Sequence, residues 1–250
     1  MTSERRPVRL DLCSWPEAEA YLADSDGIIL PVGSTEQHGP MGLIGTDALC
    51  AQAVAEGMAA RAGALVAPTL ALTPAPFNTS WPGTISLSEP LFEAVVREVI
   101  EGLSAQGFGH IYVMNGHGAN LAPLRRVAED TATKIRIRSW WDFEPVNALR
   151  RDYYGDWEGM HATPSEVAIT QALHRTLPPG EAEYPPEKLS PEFIRAHSGD
   201  KHGPPDTHKA QFPDGRVGSH SALARPEHGH ALLAAAITSA AEDYLKFLET

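Results

Sequence analysis

The strongest constraint on this chain is an alternation of short apolar runs with longer stretches of helical period. GIILPVG (Gly27 to Gly33), ALVAPTLAL, HIYVMN (His110 to Asn115) and KIRIRSW read as buried strands. Between them lie amphipathic segments with recognisable ends. Ser14, Pro16 and Glu17 form a capping box, and Thr46 can cap DALCAQAVAEGMAARAG, which stops at Gly63. Ser88 caps a helix with Phe92, Val95, Val96, Val99 and Leu103 on one face and Gly107 just past its end. LAPLRRVAEDTA follows the third strand as another helix. Strand and helix in turn predict an α/β fold: a single domain of three layers, α/β/α, around a mostly parallel sheet. At 250 residues the chain is long enough to bury such a core without covalent staples.

Beyond Asp142 the pattern weakens. SEVAITQALHRTL reads as a helix capped by Ser165, and the C-terminal HALLAAAITSAAEDYLKFLE should turn Leu233, Ile237, Tyr244 and Leu248 to the core. From about 178 to 226 the chain is rich in Pro, Gly, His and Asp, and is expected to be a long surface excursion over an active site or subunit contact. Its Asp200, His202, Asp206, His208 and His220 either reach a neighbouring subunit's pocket or are solvated, and solvation is the expectation. TPAPFNTSWPGTIS carries too many prolines for regular structure and should be a loop at the sheet edge.

Composition removes several classes of function. Lys plus Arg is 20 against 32 Asp plus Glu, a net charge of −12, the wrong sign for a nucleic-acid or anionic-membrane binder. No apolar run approaches the roughly 20 residues of a bilayer span, and MTSERRPVRL lacks a signal-peptide core, so a soluble, cytoplasmic protein is expected. Cys13 and Cys50 cannot form a disulfide framework and are read as reduced, partly buried thiols. Eleven histidines raise metal chemistry as a question.

Three clusters fall at or just beyond strand C-termini, where open α/β sheets bind ligands. In the first, Glu36 and His38 are two apart in extended backbone and can point to one spot, with Asp47 brought back by the turn-rich GPMGLIGT. The second is His117 between Gly116 and Gly118, with glycines that free its backbone for an unusual turn. The third is HATPSE, containing His161 and, in a helical first turn, Glu166. Each alone has an ordinary structural role as a loop polar group, a turn histidine or a partner of the helix dipole. Together Glu36, His38, Asp47, His117 and Glu166 supply hard oxygens and imidazole nitrogens, a set that suits Zn, Mn or Fe(II). No phosphate-binding glycine loop and no nucleophile elbow follows any strand.

LPVGSTEQHGPMGLIGTDAL, WPGTISL, VMNGHGAN and HATPSE, in that order between about Gly27 and Thr170, resemble the creatininase (creatinine amidohydrolase) family. The resemblance implies a homo-oligomer, commonly a hexamer of dimers, and two divalent ions (Zn, Mn or Fe) that activate a hydroxide to cleave non-peptide C–N bonds of cyclic or linear amides. Asp47 would bridge the metals, with Glu36 and His117 on one and His38 on the other. Creatininase itself has a glutamate ligand two residues after the Asn-Gly-His histidine, where this chain has Ala119, and Glu166 is the candidate to fill that vacancy. It also has a tyrosine where this chain has Gly118, so creatinine is not the expected substrate. His161 is the candidate proton shuttle, its ordinary pKa lying near neutrality. Ser80, Trp81, Thr84, Gly118 and Trp157 are candidates to contact a small-molecule amide. A metal-stabilised but catalytically silent scaffold, and a nucleotide-binding module, are the rival readings.

Overall fold

Gly27–Val32 (β1), Leu65–Val66 (β2), His110–Asn115 (β3) and Lys134–Ser139 (β4) form a parallel sheet in the order β2-β1-β3-β4. The computed structural model describes residues 8–199 and 201–250; the readings of the extreme N-terminus and of Asp200 lie outside them. Every residue of β1 and β3 is buried, which is why both read as uninterrupted apolar runs. Alternate residues serve opposite layers. Ile28, Leu30, Val32, Ile111 and Val113 pack with Phe92, Val96, Ile100 and Leu103 of Glu89–Ala105 (α3) and with Leu124 and Val127 of Leu121–Glu129 (α4). Ile29, Tyr112 and Met114 pack on the other face against Thr46–Ala62 (α2) and Pro226–Leu248 (α9). The fold is therefore α/β in three layers, with Trp15–Leu22 (α1) entering it through the expected Ser14–Glu17 capping box.

Several local expectations shift by a residue or more. Gly45, not Thr46, is the N-cap of α2; the Thr46 hydroxyl instead donates backward to the Leu43 carbonyl. The second strand spans only Leu65–Val66: the Ala67 amide still donates to the Ile29 carbonyl, but Pro31 of β1 has no N–H to return the next bond. On α3, Val95 is exposed and Ile100 is buried, so the apolar stripe follows the Val96–Ile100 row. On α9 the buried row is Leu232, Ala236, Ala240 and Tyr244, not the bulkier Leu233 and Ile237. Small residues win there because the helix runs close to Pro164–Leu173 (α6): a Cβ on Gly229 would overlap the Ala168 carbonyl.

The second half is more regular than its sequence pattern. Glu144–Tyr154 (α5) follows β4 directly, and the 178–226 excursion contains Pro191–Ala196 (α7) and Pro205–Gln211 (α8). His208 on α8 is buried, not solvated, and packs its ring against Phe77, Trp81, His202 and Phe212. His202 and His220 are partly buried, and Asp206 is exposed as expected. Cys50 is buried and Cys13 half-buried. Among the described residues no helix is long and apolar enough to cross a membrane.

Candidate metal centre

Val32 at the end of β1 lies opposite Asn115 at the end of β3, so the two loops that follow start side by side. The first turn of α2 is wedged against both. A Cβ on Gly33 would overlap the Ala48 backbone, and one on Gly116 the Asp47 carbonyl. Gly116 and Gly118 both keep φ outside the left-handed region, so Gly116 is required for close approach and not for an unusual turn. This packing carries Asp47 between the two loops.

Asp47 is the centre of the cluster. Its Oδ1 lies 2.9 Å from His38 Nε2 and its Oδ2 2.9 Å from His117 Nδ1. Glu36 Oε1 is 3.1 Å from His117 Nδ1, and Glu166 Oε1 is 3.8 Å from His38 Nε2. Two groups, Glu36–Asp47–His117 and His38–Asp47–Glu166, thus each offer ligand atoms within 4.8 Å of one another and share Asp47; Glu36, His38 and His161 form a third. All of these side chains are buried.

The far nitrogen of each imidazole is held by a backbone carbonyl. His38 Nδ1 is 3.0 Å from the Glu36 carbonyl and His117 Nε2 is 2.9 Å from that of Pro74, so each ring turns its other nitrogen to Asp47. This is the support that metal-binding imidazoles receive. The Ser34 hydroxyl donates to Asp47 Oδ2 at 2.8 Å, and the Thr163 amide donates to Glu166 Oε1 at 2.6 Å. Thr163, not Ser165, is the cap of α6, and Glu166 completes its capping box while also facing His38. The helix-cap role and the site role fall on one carboxylate.

Burial strains this concentration of charge. It pulls the His38 imidazole down, but the Asp47, Glu166 and Glu36 carboxylates outweigh it and push His38 up to about 10. His117 is likewise disfavoured as a cation by burial, yet lies well above its ordinary value beside Glu36 and Asp47. Burial opposes ionisation of Asp47 too, and the two histidines hold it well below the usual carboxylate range. Glu166, desolvated and beside Asp47, is pushed up to about 8 despite His38. Glu36 Oε2 accepts from Asn78 Nδ2 at 2.8 Å, whereas its buried Oε1 accepts no hydrogen bond among the described residues. His117 Nδ1 lies within ion-pair distance of that oxygen but not in hydrogen-bond geometry. Three carboxylates in the protein interior, one with an unsatisfied oxygen, form a donor set that divalent cations fit.

A family model, described as creatinine amidohydrolase, matches residues 11–244. The chain belongs to the creatininase family. It is 32% identical over 185 residues to the creatinine amidohydrolase of Pseudomonas putida, covering 66% of this chain and 71% of that one. It is also 32% identical over 123 residues to a mycofactocin precursor peptide peptidase of Mycobacterium ulcerans, spanning 45% of this chain and 48% of the peptidase. A crystal structure of creatinine amidohydrolase (creatininase) superposes with a TM-score of 0.74 at 26% identity, covering 95% of this chain and 96% of that one. A structure titled creatininase Mn gives the same score and identity over 96% and 98%.

Around the cluster of this creatininase-family chain the other expected site residues separate. His161 is buried beside it, with Nε2 2.7 Å from the Gln37 carbonyl and Nδ1 3.7 Å from Glu36 Oε1. The residue after it, Ala162, has φ +55°, a left-handed conformation costly for alanine, and the Ser221 hydroxyl donates to its carbonyl at 2.6 Å. Gly118 lines a cavity of ≈ 240 Å³ together with Gly116, Thr163 and Glu166. Trp81 lines a different one of ≈ 310 Å³ with Gln37 and His38. Thr84 is engaged by the Gln37 amide, and Ser80, on the surface, donates to Asp206. Trp157 stands against Lys188 and His220. The Trp81 loop thus crosses the site and does not trail from the sheet edge.

Two residues given no role from sequence hold the site. Asn78, fully buried, donates to Glu36 and accepts from Gln37 Nε2 at 2.8 Å, and Gln37 Nε2 also lies 3.0 Å from His161 Nε2. Phe77 beside Asn78 stacks on His117 at 6.3 Å and meets His202 and His208 on its other side. A buried asparagine in a proline-rich loop leaves no periodic signal. Only the pairing of Thr35 with Ile85 and Thr73 with Ser86, which folds that loop onto the first cluster, exposes its role.

Proposed function

We propose that this chain is a metal-dependent amidohydrolase that binds two divalent ions, Zn, Mn or Fe, around Asp47 and hydrolyses an amide C–N bond. The observation that carries the reading is the sharing of Asp47, whose two oxygens face His38 and His117 separately. Glu36 and His117 would hold one cation and His38 and Glu166 the other, with Asp47 common to both. Glu166 then supplies the carboxylate missing at Ala119, a role its place 3.8 Å from His38 Nε2 supports. Similar creatininase structures include a Mn form at 26% identity and a mutant of Zn-Zn type at 25% identity.

Bound cations would supply Lewis acidity, drawing the pKa of a water toward neutrality and polarising a carbonyl. The chain's own groups do the rest. Asn78 and the Glu36 and Pro74 carbonyls keep the ligand atoms aimed inward. Phe77 covers the His117 side and excludes water. His161 is the proton carrier: Nε2 stays tied to the Gln37 carbonyl, and a proton on Nδ1 sits beside Glu36, poised for a leaving nitrogen. Gly118 leaves room where creatininase has its tyrosine, which supports a substrate other than creatinine. The expected restriction to non-peptide bonds is withdrawn, because relatives named as peptide peptidases share this family. The cavity beside Glu166 favours an enzyme over a silent scaffold. A homo-oligomer, hexameric as in the family, belongs to the same proposal, and exposed Ile44 and Leu173 support it.

The test is a hydrolysis screen of metal-replete protein over lactams, formamides and short peptides, following amine, ammonia or formate. Chelation should abolish turnover, and Zn or Mn should restore it. Turnover indifferent to chelation would refute the reading.

A further inference from the structure

Arg150, on α5, stands in the wall of the cavity that Glu166 also lines. Its guanidinium is gripped on two sides. Nε donates to Glu158 Oε1 at 2.9 Å and Nη1 to Asn147 Oδ1 at 2.8 Å, while Nη2 makes no hydrogen bond among the described residues. The same Glu158 oxygen accepts from the Ser165 hydroxyl, which lies 3.1 Å from Thr163 Oγ1, and the Thr163 amide holds Glu166. A continuous polar line therefore sets the guanidinium in fixed register with the candidate metal ligand. Trp140, whose buried indole N–H has no acceptor among the described residues, lines the same cavity.

A guanidinium held rigid with one terminal nitrogen to spare can donate a charge-assisted hydrogen bond to an oxyanion such as a carboxylate. The rest of the wall mixes apolar Trp141, Leu121, Met160 and Ile194 with polar Thr163 and Ser198, and ≈ 240 Å³ is below the roughly 300–1,000 Å³ of drug-sized pockets. That volume suits one amino-acid-sized unit. We infer that Arg150 receives a carboxylate on the substrate, remote from the scissile amide. The substrates are then small carboxylated amides or peptides entering by the carboxy-terminal residue. This inference rests on the amidohydrolase reading of the same site.

The experiment compares matched pairs: N-formylglycine with N-formylglycinamide, and triglycine with triglycinamide. Binding is measured by calorimetry on chelated protein, and kcat/KM on metal-replete protein, for wild type, Arg150→Gln and Arg150→Lys. An acid should bind and react at least about tenfold better than its amide, through KM, with the preference erased in R150Q and partly kept in R150K. The wild-type comparison needs no variant, so misfolding of R150Q cannot mask the answer. Equal handling of acid and amide, or no binding of either acid at millimolar concentration, overturns the inference even if the amides are hydrolysed. Arg150-dependent acid binding without turnover of any probe sinks the amidohydrolase reading and leaves the carboxylate site standing. Preference for N-formylglycine over triglycine, or the reverse, separates a small-molecule source from a peptide.

Discussion

The two halves of the Asp47 cluster differ in how they are enclosed. Glu36 and His117 are gripped from behind by Asn78 and the Pro74 carbonyl and covered by the Phe77 ring. His38 and Glu166 each stand in the wall of a cavity. The contrast teaches a division of labour within one donor set: an enclosed half whose geometry is set by the protein, and an open half where a ligand can enter. The second half also carries the helix cap of α6, so its opening is limited by a structural duty.

The largest effect comes from the shared residue. Asp47→Ala should lose both metals and all turnover above background, read by elemental analysis; two retained equivalents would break the bridge. Glu36→Gln and Glu166→Gln should each weaken one equivalent; Glu166→Ala should in addition destabilise α6, by about 1 kcal/mol in chelated protein, through the lost capping-box acceptor, which Gln retains. His161→Ala should keep both metals and lower turnover by about 10²–10⁴-fold. Loss of a metal instead would make it a ligand, as its grouping with Glu36 and His38 allows. Asn78→Ala should reduce affinity for the metal of the enclosed half by about 10–100-fold and leave the other equivalent in place.

The mildest test is pH. The surrounding carboxylates keep His38 protonated up to about 10 in the metal-free protein, while a cation needs the neutral imidazole. Binding must therefore release protons, and affinity should rise with pH, about tenfold per unit for each proton released. Calorimetry in buffers of differing ionisation enthalpy counts them. Affinity flat with pH would mean that the histidines are not the groups displaced.

Much of the enclosed half could be read from the chain alone. Strands buried on both faces leave unbroken apolar runs, and Glu36 and His117, with His38 of the open half, follow such runs within a few residues. The helix after Asp142 was harder to read, because α5 buries few side chains, Val146 and Tyr154 among them. His208 was misjudged for the opposite reason: its neighbours in sequence are polar, but its neighbours in space are Phe77, Trp81 and Phe212. The cap of α6 slipped from Thr163 to Ser165 because both hydroxyls precede the same apolar run, and only the Glu166 partner distinguishes them.

The amino-acid order by itself determined the layered α/β architecture, the family, and the five side chains of the candidate centre. Backbone periodicity and short motifs are local, and local signals survive in one dimension. The tertiary structure alone decided that Asn78 steadies Glu36, that His161 is tied to Gln37, and that Arg150 shares a cavity with Glu166. Those relations join residues far apart in the chain, through hydrogen bonds that exist only once the sheet, the Trp81 loop and the later helices have closed around one point.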